Sequence, residues 1–370
     1  MPTDEAIRVA LAYSPRPDQY DAILAFTEHL ATALASRPEV AGNLLLRRRR
    51  GAWTEAGHRD EAPLHEALRR TSADVLALQY NPFSYGHWGV APGLLAELVA
   101  ARRRGALRRL VLVVHEPFVV TPGLRYTLMG AIQRQQLVAL VHLADAVLVT
   151  AEPWLAVLRG VNRNMRVDVM PVGSNMPDQR ADRAAARASL AASKNMLVIS
   201  TFGMTHPHQL VGHVAAAVEV SLEAGHEIIF VNLGRAPDEL PVRHPRLRIV
   251  RPGPQDGVKL ARLLAATDLF LAPYCDGVTT RRTTLMAAAQ HGLCVVTTQG
   301  ECAHQTLSAP ALAVVPVSDS AAFAALSRAL AGDSAARLRY GGAARAMYEE
   351  HYSWEAISEH FVQTIQSRSD

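Results

Sequence analysis

The sequence predicts an α/β protein made of two Rossmann-like, doubly wound domains facing each other across a cleft. Three observations lead there. Short apolar runs of strand character alternate with helical patterns along almost the whole chain. Its 370 residues exceed the size at which a single hydrophobic core stops growing. Residues 171–179, PVGSNMPDQ, break the alternation near its midpoint with the proline, glycine and polar composition of a linker. The domains expected are 1–172 and 176–351, with a terminal helix over about 352–370 packing back on the first.

Each element follows from its local pattern. In the first half, 7–13, 74–79, 110–115, 146–150 and 165–172 read as strands, and 20–35, 94–104 and 125–143 as helices. Leu44–Leu46 reads as an edge strand running into a charged turn at Arg47–Arg50. The second half repeats the rhythm with strands at 197–202, 227–233, 247–250, 268–273 and 294–298. Its helices fall at 209–224, at 258–266 and after residue 282. The segment HYSWEAISEHF closes the chain as a helix, with Ser353 placed to cap it.

Composition narrows the function. A hydrophobic content of 49% excludes a disordered chain. Of 38 basic residues, only Lys194 and Lys259 are lysine, a bias of coding more than of charge, so the basic balance says little about partners. Arg47–Arg50 is the one long basic run, and no aromatic or amphipathic pattern accompanies it, so nucleic acid and stable membrane insertion are not expected. The N-terminus has neither signal-peptide nor membrane-span character. Three cysteines, Cys275, Cys294 and Cys302, are odd in number and lack zinc spacing, which fits a reducing cytoplasm. His206, His208 and His213 lack a carboxylate or cysteine at ligand spacing, so no metal site is expected.

Residues 276–292, DGVTTRRTTLMAAAQHG, are the most informative stretch. They follow an apolar run stopped by Pro273 and precede another strand, so they span a loop and a helix start in a parallel sheet. Ligands of such sheets sit beyond the carboxyl ends of the strands, where helix N-termini offer N–H groups and a positive dipole end. Arg281 and Arg282 add forked donors and fixed charge suited to a diphosphate, flanked by Thr280, Thr283 and Thr284. Asp276 and Gly277 read either as a turn or as a hydrogen-bonding carboxylate beside a phosphate contact. In the first half, Asn81, Tyr85 and Trp88 lie in NPFSYGHWG after a strand, suited to a polar ligand or a cation, or to packing the loop itself. Gly203 would let a backbone approach a phosphate. No G-x-G-x-x-G follows the first strand of either half, which argues against a dinucleotide oxidoreductase.

The pieces VLVVHEPF, PVGSN, STFG, AATDLFLAPYCDG, HGLCVVTT and YSWEAISEHF, in this order and spacing, resemble glycosyltransferase family 4. The resemblance covers nearly the whole chain. It implies the GT-B fold and transfer of a sugar from a nucleoside-diphosphate sugar, GDP- or UDP-linked, with retention at the anomeric carbon and without a bound metal or prosthetic group. It places His115 near the donor sugar, with Glu116 orienting His115 or meeting the acceptor. It makes Gly173 and Ser174 a hinge or donor contact and sets Arg251 and Gly253 near the nucleotide base.

The departures are specific. The family's second glutamate falls on Thr284 counting from Asp276, or on Ala287 counting back from Gly292, and neither is acidic. Its arginine and lysine after the first strand of the second half fall near Met204 and near His208 or Gln209, so Arg281 and Arg282 are expected to take over the diphosphate. The family's glycine-rich turn after the first strand is replaced by Arg16, Gln19 and Tyr20, which points to unusual acceptor binding. The expected function is transfer to a small soluble acceptor, such as a natural product, a small thiol or an aminocyclitol; a homodimer is compatible with it. The alternatives are an inactive nucleotide-sugar-binding or partner protein, a transferase acting on a lipid-linked or polysaccharide acceptor, and a GT-B epimerase.

Overall fold

The computed structural model describes residues 6–15, 21–119, 123–162, 165–178, 181–203, 208–234 and 240–367. Arg16, Gln19, Tyr20, Met204 and His206 lie outside them. The chain divides into two units, Met1–Pro171 with Trp354–Asp370, and Val172–Ser353.

The first unit contains β1 (Ile7–Tyr13), α1 (Ala22–Leu34), β2 (Val40–Arg49), β3 (Ala52–Glu55), α2 (Leu64–Thr71), β4 (Val75–Tyr80), α3 (Pro82–Tyr85), a 3₁₀ turn (His87–Gly89), α4 (Pro92–Arg103), β5 (Arg109–Val114), α5 (Leu124–Leu143), β6 (Ala146–Val149), α6 (Pro153–Arg159) and β7 (Val167–Val169). Its sheet runs β3-β2-β1-β4-β5-β6-β7, parallel except for the β2–β3 hairpin. Val75–Tyr80 and Leu110–Val114 are buried along their whole length, as strands covered on both faces must be.

Local chemistry sets the boundaries. The Asp21 carboxylate accepts from the Ile23 and Leu24 N–H groups at 3.1 Å, a cap worth about 1 kcal/mol, so α1 starts at Ala22. Phe26, Leu30 and Leu34 then repeat every fourth residue on its buried face. The terminal helix α13 (Trp354–Gln366) packs on this unit: Trp354 meets the Phe26 ring at 5.3 Å and stacks on His29 at 5.1 Å, and Arg109 donates to the Ile365 carbonyl.

Two expectations change here. Arg47–Arg49 belong to β2, which is not an edge strand, because the Arg50–Gly51 turn with φ of 50° and 85° folds β3 back against it. Arg48 pairs with Glu97 at 2.7 Å, and the buried Trp53 indole donates to the same carboxylate at 2.8 Å. The strand expected over 165–172 is only three residues long. Met170 N–H still donates to the Val149 carbonyl, but Pro171 has no N–H to continue the ladder.

The second unit contains α7 (Arg183–Ser189), β8 (Leu197–Phe202), α8 (Val211–Glu223), β9 (Ile228–Leu233), β10 (Leu247–Val250), α9 (Gly257–Ala266), β11 (Leu269–Ala272), α10 (Thr283–Gln290), β12 (Val295–Gln299), β13 (Ala313–Pro316), α11 (Ser320–Gly332), α12 (Ser334–Met347) and a π-helical turn (Tyr348–Tyr352). Its all-parallel sheet has the order β10-β9-β8-β11-β12-β13, so the winding reverses between β8 and β11. The crevice beyond the carboxyl ends of those two strands is where such a sheet takes a ligand.

Candidate functional site

In the second unit that reversal point is built by the loop from Pro273 to Arg282. The hydroxyl of Thr298, at the end of β12, accepts from Tyr274 N–H at 2.8 Å and donates to the Tyr274 carbonyl at 2.6 Å, which pins the loop's start. Gly277 N–H donates to the Tyr274 carbonyl at 3.1 Å, closing a turn over 274–277. Gly277 has φ of 85°, and a Cβ on it would lie 2.3 Å from the Gly300 nitrogen, so this turn is pressed against the loop after β12 and admits only glycine. Its Asp276 carbonyl accepts from Cys302 N–H at 2.9 Å.

The turn holds up the Asp276 carboxylate. Arg282 donates to its Oδ1 at 2.5 Å, and Arg281 lies 3.5 Å from its Oδ2. The Arg282 guanidinium also stacks over the Tyr274 ring, 4.4 Å from the centroid, and the Tyr274 hydroxyl is 3.2 Å from the Thr284 hydroxyl. Burial pushes the Tyr274 phenol up, so it stays protonated. Arg282 is the residue before the first turn of α10, and its side chain is 11% exposed against 29% for Arg281. The two guanidiniums and one carboxylate leave a net positive charge at a helix start, with Thr283 and Thr284 in the first turn. That combination suits an anion.

His208 lies opposite this loop. Cys275 N–H donates to its carbonyl at 2.8 Å, Leu210 N–H donates to the Pro273 carbonyl at 3.0 Å, and the His208 Nδ1 is 3.4 Å from Cys275 Sγ. Gly203 ends β8 with φ of 68° in open space, and Gly253 has φ of 69°, also in open space, beside the exposed Arg251. Thr280 is buried, and its carbonyl accepts from Val172 N–H at 3.0 Å. Gly173 and Ser174 are buried, and Ser174 Oγ accepts from Met176 N–H at 3.0 Å.

In the first unit the winding reverses between β1 and β4, and the groups near that end are His115, Glu116, Gln79 and Asn81. His115 N–H donates to the Tyr80 carbonyl at 2.9 Å. Its Nε2 lies 2.8 Å from Gln79 Oε1, and the Phe26 ring meets it edge-on at 4.9 Å. With a carbonyl oxygen facing Nε2, that nitrogen carries the proton and Nδ1 the lone pair. Burial pulls the His115 pKa down to about 4, opposed by the Asp21 charge, so the ring is neutral near pH 7.

Glu116 does not orient His115. Its exposed carboxylate accepts from Asn81 Nδ2 at 3.2 Å, while Asn81 Oδ1 caps α3 by accepting from Phe83 N–H at 3.0 Å. Tyr85 is a core residue: its hydroxyl donates to the Gln79 carbonyl at 2.9 Å, and burial pushes its pKa well above the ordinary tyrosine range. Trp88 is 49% exposed, stacks on His87 at 5.5 Å and lies 4.8 Å beneath the Arg125 guanidinium.

The architecture matches solved structures over almost its full length. A sucrose-phosphate synthase from Thermosynechococcus elongatus superposes with a TM-score of 0.67 at 16% identity, over 97% of this chain and 98% of that one. The chain has the GT-B fold. Two other chains similar to this GT-B protein are WaaG, a glycosyltransferase involved in lipopolysaccharide biosynthesis, and HepE of Anabaena in complex with UDP and glucose. WaaG gives a TM-score of 0.60 at 16% identity, over 97% of this chain and 100% of that one. HepE gives 0.61 at 13%, over 97% and 99%. No protein-family model matches the chain, and no curated protein does.

Three residues around the candidate sites are not picked out by spacing alone. Gln79 is the one amide in the strand VLALQY, and its buried Oε1 faces His115 Nε2. Tyr274 and Gly300 act through packing against residues distant in sequence, which spacing does not reveal. His213, one of the three histidines of that stretch, is engaged elsewhere: its Nε2 lies 3.1 Å from the Val317 carbonyl and its ring packs on Phe323.

Proposed function

We propose that this protein is a glycosyltransferase that moves a sugar from a GDP- or UDP-linked donor to an acceptor, with retention. The observation that carries this reading is the Asp276–Arg281–Arg282 cluster, set on a tyrosine face at the helix start of the second sheet's reversal point. Breaking the bond from the anomeric carbon to the diphosphate leaves positive charge on the sugar and negative charge on the departing phosphate. Arg281, Arg282 and the first N–H groups of α10 stabilise that phosphate charge as it develops, with no metal required. The acceptor hydroxyl forms the new bond and gives up its proton as the diphosphate leaves. Asp276 accepts hydrogen bonds from sugar hydroxyls through lone pairs the arginines leave free. On the first unit, His115, neutral near pH 7, offers Nδ1 as an acceptor to a hydroxyl.

A thermal-shift series with GDP, UDP and other nucleoside diphosphates tests this. One nucleotide at about 100 times its Kd should add about 2.7 kcal/mol of stability. If none shifts the melting point, the donor reading falls and an inactive GT-B protein takes its place.

The acceptor side carries two readings. A small soluble acceptor follows from the polar loop around Asn81. A lipid-linked acceptor is favoured by the outer face of α5, where Leu124 is 89% exposed and Leu128 63%, with Ile132, Tyr126, Trp88 and Phe83 exposed as well. These are six of the eight exposed large apolar side chains among the described residues. Residues 117–144 contain Arg125 and Arg134 and no acid, so apolar and basic groups share this face, the combination that binds an anionic lipid surface. Cosedimentation with phosphatidylglycerol vesicles, lost in a Leu124→Ser/Leu128→Ser variant, is the result expected of the lipid reading. A protein that stays in the supernatant keeps the soluble acceptor.

A further inference from the structure

We propose that His208, Cys275 and Asp276 form a binding site for a single divalent cation of the Zn²⁺ class. The observation behind it is geometric: one ligand atom from each of the three side chains lies within 4.8 Å of the others, on two segments far apart in sequence. The His208 Nδ1 to Cys275 Sγ distance of 3.4 Å is close to the separation of two ligands on one tetrahedral zinc, given a Zn–S bond of about 2.3 Å and a Zn–N bond of about 2.0 Å.

The backbone holds this spacing. Gln209 and Tyr274 form an isolated antiparallel bridge, flanked by the Cys275-to-His208 and Leu210-to-Pro273 hydrogen bonds, so the two ligand-bearing segments are tied before any ion arrives. Asp276 follows directly and is fixed by the Gly277 turn. A site whose ligands are already placed loses little entropy on metal uptake.

Thiol, imidazole and carboxylate together are a borderline-soft donor set that selects zinc and its neighbours over magnesium or calcium. Three protein ligands leave a fourth position for water or for an oxygen of a bound anion. Asp276 is also held by Arg281 and Arg282, but an ionised carboxylate offers about four lone-pair positions, so a guanidinium and a metal can share it. Binding displaces the Cys275 proton, leaves the thiolate on the metal and releases that proton to solvent. Cys275 is exposed, which gives the ion an entry path. Asp276 is shared with the proposed donor site, but the test below uses no sugar nucleotide, so its failure and that of the transferase reading are distinguishable.

Titration of the reduced full-length protein with Co²⁺ decides the matter. One equivalent should bind, with a thiolate-to-cobalt charge-transfer band in the near ultraviolet, and Zn²⁺ should displace it. Cys275→Ser should abolish the band, and His208→Ala should weaken Zn²⁺ binding by about tenfold or more, since even outer partners of metal ligands cost that much. Metal-free melting curves of both variants check that they fold. No Co²⁺ binding by the parent protein, binding without the charge-transfer band, or a band that survives in Cys275→Ser would each overturn the site.

Discussion

Arg282→Ala is expected to lower turnover by about 100- to 1,000-fold, the usual cost of removing one preorganised donor from developing negative charge. Nucleoside-diphosphate affinity should fall by about ten- to a hundredfold, the value of one or two charge-assisted hydrogen bonds. Arg282 is singled out over Arg281 because its position is determined three times over. It bonds Asp276 at 2.5 Å, lies on the Tyr274 face and leads into α10, while Arg281 is more exposed and 3.5 Å from the same carboxylate. Arg282→Lys should recover little, because an ammonium neither stacks on the ring nor presents a planar fork. Arg281→Ala should cost less in both measurements. Steady-state kinetics and nucleotide titration of the three variants check the ordering. Unchanged affinity and turnover in Arg282→Ala would mean that the diphosphate is held elsewhere.

Gly277→Ala is expected to be the most damaging small substitution in the second unit. At φ of 85° any side chain is strained, and the new methyl would lie 2.3 Å from the Gly300 nitrogen and 2.9 Å from its Cα. Both obstacles are backbone, so neither can rotate away. Strain of about 1–3 kcal/mol adds to the displacement of a packed loop, for a total of about 3–5 kcal/mol. In a unit of this size that is a fall in Tm of roughly 10 °C. The same shift moves Asp276 away from Arg282, so nucleotide binding should drop even at temperatures where the variant is folded. A denaturation curve that coincides with the parent's would show that the turn is not pinned as described.

The fold was legible because its strands carry their own signature. VLAL of β4 and LVLVV of β5 are continuous apolar runs, as parallel strands must be, and the helices between them keep a periodic buried face. Elements that depend on partners were harder to read. The β2–β3 hairpin hides behind four arginines, because the pairing that turns Arg48 inward involves Glu97, far along the chain. At the site, the helix start and its two arginines could be read from TTRRTT after a proline-stopped strand. That Asp276 pairs with both arginines, that Tyr274 lies beneath Arg282, and that Tyr85 is consumed by the core could not. Each follows from the turn of a loop by a few tens of degrees, which the residue types alone do not set. Gln79 was readable in principle, since a lone amide in an apolar strand has to be satisfied by something nearby.

The placement of α13 bears on how the protein is made. The second unit is one uninterrupted stretch of chain, Val172–Ser353, and every strand and helix it needs has been synthesised before Trp354 appears. The first unit, begun earlier, waits longer: Phe26 and His29 receive Trp354 only when α13 emerges. At about 5–20 residues per second, Phe26 and His29 lack Trp354 for tens of seconds on the ribosome. The part of the protein that starts folding first is therefore the part that finishes last.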